Sequence, residues 1–274
     1  LDKSSILVSL SDLGFTKENL DKFRKIIHKP HGIFLVTGPT GSGKTTTLYS
    51  ALSEINSKEL NVVTVEDPIE YELAGITQSQ VNEKAGMTFS TALRALLRQD
   101  PDVMLVGEIR DLETAAIAVQ ASMTGHLVFS TLRTNDAAGA LTRLVDMGVE
   151  PFLISSSVEA IMAQRLVRTI CKKCELEIPA PDIITKKFPQ VKVIHKGKGC
   201  KACKNSGYRG RAGIYELLVI DEAIRQMIIN KASTGQIKKY AVDHGMKTLY
   251  DDGLDKVVSG LTTLDEVLRV TELD

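Results

Sequence analysis

The run Gly38-Pro39-Thr40-Gly41-Ser42-Gly43-Lys44-Thr45 fills every position of a phosphate-binding loop. Glycines let several backbone N–H groups converge on one phosphate, and a helix starting there adds partial positive charge. In such a loop Lys44 reaches the β- and γ-phosphates and the Thr45 hydroxyl ligates Mg²⁺, with Thr46 next on the helix. The apolar strand Ile33-Phe34-Leu35-Val36 leads into the loop, and Thr46 to Leu52 reads as the helix behind it. With both flanks correct, a glycine-rich turn that binds nothing is the weaker reading. The expected ligand is a nucleoside triphosphate with Mg²⁺.

Moving a phosphoryl group to water needs a metal on the phosphate oxygens, a carboxylate to orient the water, and cations for the developing charge. Two glutamates stand where apolar strands end, the usual place for ligands in an open α/β sheet. Glu108 follows Val103-Met104-Leu105-Val106-Gly107 and is assigned to Mg²⁺; Glu66 follows Asn61-Val62-Val63-Thr64-Val65 and is assigned as the water-activating base. The two roles can be exchanged without violating the pattern. Asp67 and Glu70 are weaker candidates, more often capping or ion-pairing groups. His126, between Gly125 and a buried strand, would by itself be structural, as would His28, His31, His195 and His244.

Cys171-Lys172-Lys173-Cys174 and Cys200-Lys201-Ala202-Cys203 use all four cysteines. Two pairs with two-residue spacers let Cys171, Cys174, Cys200 and Cys203 close a tetrahedron about Zn²⁺. The 25 residues between the pairs slightly exceed a zinc-ribbon gap, which a long loop absorbs. Disulfides are the alternative, but a triphosphate-hydrolysing chain with no visible secretory signal belongs in reducing cytosol. A closed four-sulfur site has no open coordination position, so its role is structural. It would order a segment with little core of its own.

Short apolar strands alternating with helices position these groups. Helices are expected over 16–27, 89–98 and 113–123, with strands at 103–106 and 127–131. The fold class is therefore α/β, with a mostly parallel sheet covered on both faces. Residues 171–213 read as loop-like, and the chain from Glu216 onward as helical, with a capping box at Thr263-Leu264-Asp265-Glu266. The domain organisation expected is a nucleotide-binding core over 1–168, a tetracysteine module over 169–213 and a helical C-terminal region over 214–274.

Of the 274 residues, 43% are hydrophobic, and no apolar run is long enough to span a bilayer. Opening on Leu1 rather than Met, the chain is expected to be a piece of a longer protein whose N-terminal domains lie outside it. Thirty-four basic residues balance thirty-four acidic ones, but unevenly. Between Arg168 and Arg211 twelve basic residues face three acids, a segment of +9 against −9 elsewhere. Zero net charge and few aromatics argue against a nucleic-acid track. The basic module is instead expected to meet anionic lipid or acidic protein segments, through Lys186, Lys187, Lys196 and Lys198 among others.

Together these stretches resemble the type II/type IV secretion ATPase superfamily, in its secretion and pilus-extension branch. Gly38–Thr45 matches the Walker A loop, and Thr64-Val65-Glu66-Asp67-Pro68-Ile69-Glu70 looks like the aspartate box. Gly107-Glu108-Ile109-Arg110-Asp111 looks like Walker B, and Thr124-Gly125-His126-Leu127-Val128-Phe129-Ser130-Thr131-Leu132 is similar to the histidine box. The tetracysteine module belongs to the extension and secretion members. The resemblance implies a RecA-like P-loop core and a hexameric cytoplasmic ATPase on the inner face of the bacterial inner membrane. It implies ATP as substrate, with an inner-membrane platform protein and a cytoplasmic linker protein as partners. The motor would drive type II secretion through pseudopilus assembly, or alternatively pilus extension, with a conjugation-type nucleic-acid motor a more distant alternative. His126 would then contact the γ-phosphate region, and Arg94, Arg98 and Arg110 are in-chain candidates for phosphate charge or pairing. One position departs from the family: Arg133 stands after Ser130-Thr131-Leu132 where histidine is usual, and arginine does not titrate.

Overall fold

The computed structural model describes residues 8–271, so Leu1 lies outside it. The described residues divide into two compact units, one built from the stretch up to Ala163 with Leu217 to Met246, the other from Gln164 to Glu216 with the stretch from Lys247 onward.

The first unit opens with α1 (Lys17–Ile27), started by Thr16, whose side chain accepts from the Asn19 N–H. Phe23, Ile26 and Ile27 on its inner face are buried. Then come β1 (Gly32–Thr37), α2 (Lys44–Ile55), β2 (Val62–Glu66), β3 (Thr77–Gln80), α3 (Phe89–Leu96) and β4 (Val103–Val106). α4 (Leu112–Met123), β5 (Leu127–Leu132), α5 (Ala137–Asp146) and α6 (Pro151–Ser157) complete the first run. Every residue of β1, β2, β4 and β5 is buried. That is why these strands read as unbroken apolar runs rather than alternating ones. Phe23 packs on Phe34 at 4.9 Å between ring centroids, and Phe34 on Phe129 at 6.1 Å, tying α1 to the sheet centre.

β6 (Val158–Ile170) leaves the first unit after Ala163, and β9 (Tyr208–Val219) returns to it at Leu217. The seven-stranded sheet has the order β3-β2-β4-β5-β1-β6-β9. The pairs β3/β2, β2/β4, β4/β5, β5/β1 and β1/β6 are all parallel. A parallel set puts every strand's C-terminal end on one edge. In the order β2, β4, β5, β1, that edge carries Glu66, Glu108, Arg133 and the glycine loop.

Residues 171–213 are not the loop the composition predicts. β7 (Glu175–Pro179), α7 (Asp182–Lys187) and β8 (Val193–Gly197) form there, with β7 and β8 antiparallel from Glu175↔Gly197 to Pro179↔Val193. Nor is the chain helical from Glu216: β9 runs on to Val219, and the next helix, α8 (Glu222–Ile229), begins after it. α9 (Thr234–Asp243) completes the first unit, while α10 (Leu249–Val258) and α11 (Leu264–Val270) belong to the second. The second unit has a core of its own, in which Ile184 and Ile194 pack with Leu254, Val257 and Val267. Only half of the capping box at Thr263 forms. The Thr263 side chain accepts from the Glu266 N–H, but the Glu266 carboxylate is taken by Arg168 and Arg269.

Candidate functional site

Gly38, Gly41 and Gly43 all have φ in the left-handed half of the map, at 148°, 79° and 89°. A side chain at these positions would be strained, so glycine is what allows the loop to curl. Pro39, Thr40 and Gly41 are exposed at its tip. α2 starts at Lys44 with Gly43 as N-cap and no side-chain cap, which leaves its first turn open to an anion. Lys44 Nζ folds back to donate to the carbonyls of Gly38 at 2.7 Å and Pro39 at 2.9 Å. Ser42 Oγ is buried and, among the described residues, finds no partner. An uncapped helix start, a lysine resting on carbonyls and an orphaned hydroxyl fit a triphosphate with its metal. Thr45 and Thr46 lie partly buried on the first turn of α2. Thr37, at the root of the loop, accepts from the Thr134 N–H at 2.8 Å and shares a hydroxyl contact of 2.6 Å with Thr134.

The two glutamates meet on the same edge. Gly107 donates to the Val65 carbonyl at 2.8 Å, and Thr131 Oγ1 donates to the Gly107 carbonyl at 2.7 Å. A Cβ on Gly107 would stand 3.3 Å from Glu66 Cα, so glycine is what admits the close approach of the turns bearing Glu66 and Glu108. Glu66 is buried. Its Oε1 accepts from Thr64 Oγ1 at 2.5 Å and Gln78 Nε2 at 3.2 Å, and its Oε2 accepts from the Tyr49 hydroxyl.

Glu108 sits between two guanidinium groups. Arg110 Nε donates to its Oε2, and Arg133 Nε to its Oε1, each at 2.6 Å. Arg110 also reaches Asp67 at 3.5 Å. Asp111, next along, caps α4 by accepting from the Thr114 N–H at 2.8 Å.

His126 is not brought to this edge. It precedes β5, and its carbonyl accepts from the Gly32 N–H where β1 begins. Its Nδ1 lies 2.8 Å from the Ala121 carbonyl at the end of α4. The length of β5 therefore separates it from Arg133, roughly 20 Å at the rise of a strand. Arg94 pairs with Glu113 at 2.8 Å, away from the loop, and Arg98 is exposed. Of these candidate arginines and Arg133, it is Arg110 and Arg133 that bond to Glu108. Arg133 is visible in the sequence as a departure from the family pattern, but its pairing with Glu108 is not. Tyr49 has no signal there beyond being an aromatic in an apolar helix.

In the second unit the four cysteine sulfurs lie within 4.8 Å of one another. Cys171–Cys200 is 4.0 Å, Cys174–Cys203 3.8 Å and Cys200–Cys203 3.8 Å. Zn–S bonds of about 2.3 Å place tetrahedral sulfurs about 3.8 Å apart, so the donor set fits Zn²⁺. None of the four is in a disulfide. Burial raises the Cys203 thiol, but the N–H groups of Cys200 and Gly207 and the neighbouring thiols bring it down to about 6. Burial pushes Cys174 up to about 12, reinforced by hydrogen bonds with the other three thiols. A Cβ on Gly207 would stand 2.5 Å from the Gly197 carbonyl oxygen, so the backbones around the knuckle close only with glycine there.

The family described as type II/IV secretion system protein matches residues 1–269. The chain is 55% identical over 276 residues to the type II secretion system ATPase E of Vibrio cholerae serotype O1, covering 99% of this chain and 55% of that protein. It is 50% identical over 277 residues to the type IV pilus assembly ATPase PilB of Thermus thermophilus, covering 99% of this chain and 31% of PilB. The chain thus spans about half the length of the type II secretion relatives it matches. A crystal structure of the pilus retraction motor PilT with bound ADP superposes with a TM-score of 0.75 and 31% identity over 98% of this chain and 68% of that one. The Legionella pneumophila ATPase DotB shares the fold, at a TM-score of 0.70 and 24% identity over 96% of this chain and 65% of that one. The chain belongs to the type II/IV secretion system protein family.

Proposed function

We propose that this chain is the ATP-hydrolysing portion of a motor that powers type II secretion by driving pseudopilus assembly. The observation that carries the reading is the shared strand edge, where the glycine loop, Arg133, Glu108 and Glu66 stand side by side. The loop Gly38 to Thr46, through the N–H groups of its residues other than Pro39, and the Lys44 ammonium hold the triphosphate. Thr45 and Glu108 hold Mg²⁺, which supplies Lewis-acid neutralisation of the phosphate oxygens when bound. Glu66 orients the attacking water, and Arg110 and Arg133 sit where charge develops. His126 has no part in this cis site. The tetracysteine cluster holds a structural Zn²⁺ and takes no part in hydrolysis.

By its kinship with ATPase E, the full-length protein works as a homo-hexamer on the cytoplasmic face of the inner membrane. Its partners there are a platform protein and a cytoplasmic linker protein. Among the described residues no helix is long and apolar enough to cross a membrane, and the basic module offers a contact for anionic lipid. Lys186, Lys196 and Lys198 are exposed for that contact, whereas Lys187 pairs with Asp251. Pilus extension is the second reading, favoured by the 50% identity to PilB. The test is Lys44→Ala in the full-length protein, with nucleotide affinity and phosphate release measured. Loss of both is expected; retention of both overturns the motor reading.

A further inference from the structure

Tyr49 lies in the second turn of α2 and is fully buried, with its ring edge-on to Tyr71 at 4.7 Å between centroids. Thr45 and Tyr49 are four residues apart, so they share one face of the helix that starts at the phosphate loop. The Tyr49 hydroxyl donates to Oε2 of Glu66 in a short hydrogen bond. It accepts long contacts of 3.4 Å from the Glu70 N–H and from Gln78 Nε2. Burial, and then the Glu66 carboxylate beside it, hold the phenol well above its ordinary range, so it stays a donor at any working pH.

The division of donors over Glu66 is uneven. Oε1 takes two, from Thr64 and Gln78, which fills both of its lone pairs. Oε2 takes one among the described residues, leaving a lone pair for a water. Thr64 and Gln78 fix a single oxygen, which is a pivot about which the carboxylate could still swing. The Tyr49 hydroxyl is the second point, and two points set the plane.

We propose that Tyr49 is a positioning residue that aims Oε2 of Glu66 at the attacking water and ties that aim to the helix carrying the phosphate loop. A shift of α2 as the loop closes on a triphosphate moves this hydroxyl with it, so phosphate binding and the orientation of Glu66 are mechanically linked. The inference rests on Glu66 being the water-orienting base.

The test uses the full-length protein with Tyr49→Phe, Glu66→Gln and the double variant, measuring kcat for ATP and affinity for a fluorescent ATP analogue. Phenylalanine keeps the ring packing and removes only the donor. Tyr49→Phe is expected to lower kcat about tenfold or more, the scale of a hydrogen bond to a charged group, with analogue affinity within about twofold. The double variant is expected to be no slower than Glu66→Gln, because the hydroxyl acts only through that carboxylate. Three results overturn the proposal: a Tyr49→Phe kcat near the parent's, a lost analogue affinity (which marks a packing role), or a full Tyr49→Phe penalty added to that of Glu66→Gln. Parent turnover in Glu66→Gln removes the base itself and this inference with it, an outcome distinct from the failure of Tyr49 alone.

Discussion

Arg133 donates through Nε to Oε1 of Glu108 at 2.6 Å, while Arg110 holds Oε2 at the same distance from the other side. Burial alone would raise the Glu108 carboxyl. The hydrogen bonds from Arg110 and Arg133, and their charges, reverse that and hold it below the ordinary carboxylate range. Both guanidinium groups are permanently charged, so this clamp does not loosen with pH as a histidine's would. Arg133 follows β5, which lies between the strand of the phosphate loop and the strand of Glu108. In the proposed site this puts a fixed positive charge between the phosphate loop and the carboxylate proposed to hold Mg²⁺.

Arg133→Gln keeps a hydrogen-bond donor and removes one of the two charges. The Glu108 carboxyl then rises, because one of its two close cations is gone. With Glu108 needed in its ionised form, the acid limb of the kcat profile moves to higher pH in the variant. Profiles of ATP hydrolysis for parent and variant check this. Superposed profiles would show that Arg110 suffices.

Glu266 makes a stronger prediction about stability in the second unit. Its carboxylate accepts from the Arg168 N–H at 2.9 Å, from Arg168 Nη2 at 2.7 Å and from Arg269 Nε and Nη2 at 2.9 Å each. Burial raises this carboxyl, but the bonds from Arg269 and Arg168 outweigh it and lower it to about 2. A depressed carboxylate stabilises the fold above its unfolded value of 4.5 and loses that contribution as pH falls toward about 2. Glu266→Gln is therefore expected to lower Tm by roughly 3–6 °C at neutral pH. The gap to the parent should narrow as the medium is acidified through that window. A gap independent of pH would assign the effect to packing.

How much of this was legible in the residues follows from burial and adjacency. β1, β2, β4 and β5 are covered on both faces, so each reads as a mostly apolar run that marks a strand in the sequence. β3 is Thr77-Gln78-Ser79-Gln80, a half-exposed edge strand held by backbone pairing to β2, and it carries no apolar signal. β9 begins Tyr208-Arg209-Gly210-Arg211, exposed and glycine-broken, which reads as loop although Gly213 to Leu218 are well covered. Lys44, Glu66 and Glu108 could be placed because each follows a legible strand. His126 could have been excluded by the same logic: it precedes a strand, and in a parallel sheet starts and ends lie on opposite edges. The Tyr49–Glu66 and Arg133–Glu108 bonds join residues 17 and 25 apart and depend on which elements neighbour which. No local pattern encodes that.

The cysteine cluster predicts one Zn²⁺ per chain, measurable by elemental analysis of the purified protein. Cys203→Ser should cost most, because this sulfur also accepts from the N–H groups of Cys200 at 3.2 Å and Gly207 at 3.3 Å. Metal stripping or Cys203→Ser is expected to open residues 164–216 to limited proteolysis while the nucleotide loop keeps its ATP-analogue affinity. Full zinc occupancy in Cys203→Ser would remove this residue from the ligand set.

A charge pair is hidden in the second unit. Asp252 is wholly buried and Lys256 nearly so, four residues apart on α10. Lys256 Nζ donates to Asp252 Oδ2 at 2.5 Å and to the Gly213 carbonyl at 2.7 Å, and the Tyr215 N–H donates to the same Oδ2 at 2.8 Å. Asp252 Oδ1 is buried with no partner among the described residues. Burial pushes the Asp252 carboxyl up and the Lys256 ammonium down, each resisted by the other's charge. Removing one member strands the other, which typically costs about 3–5 kcal/mol, whereas an uncharged replacement of both avoids the stranded charge. Asp252→Asn and Lys256→Met should each lower the denaturation midpoint sharply, and the double variant should be more stable than the sum of the two losses allows. Additive losses in that cycle would mean the two charges are held by their surroundings and not by each other.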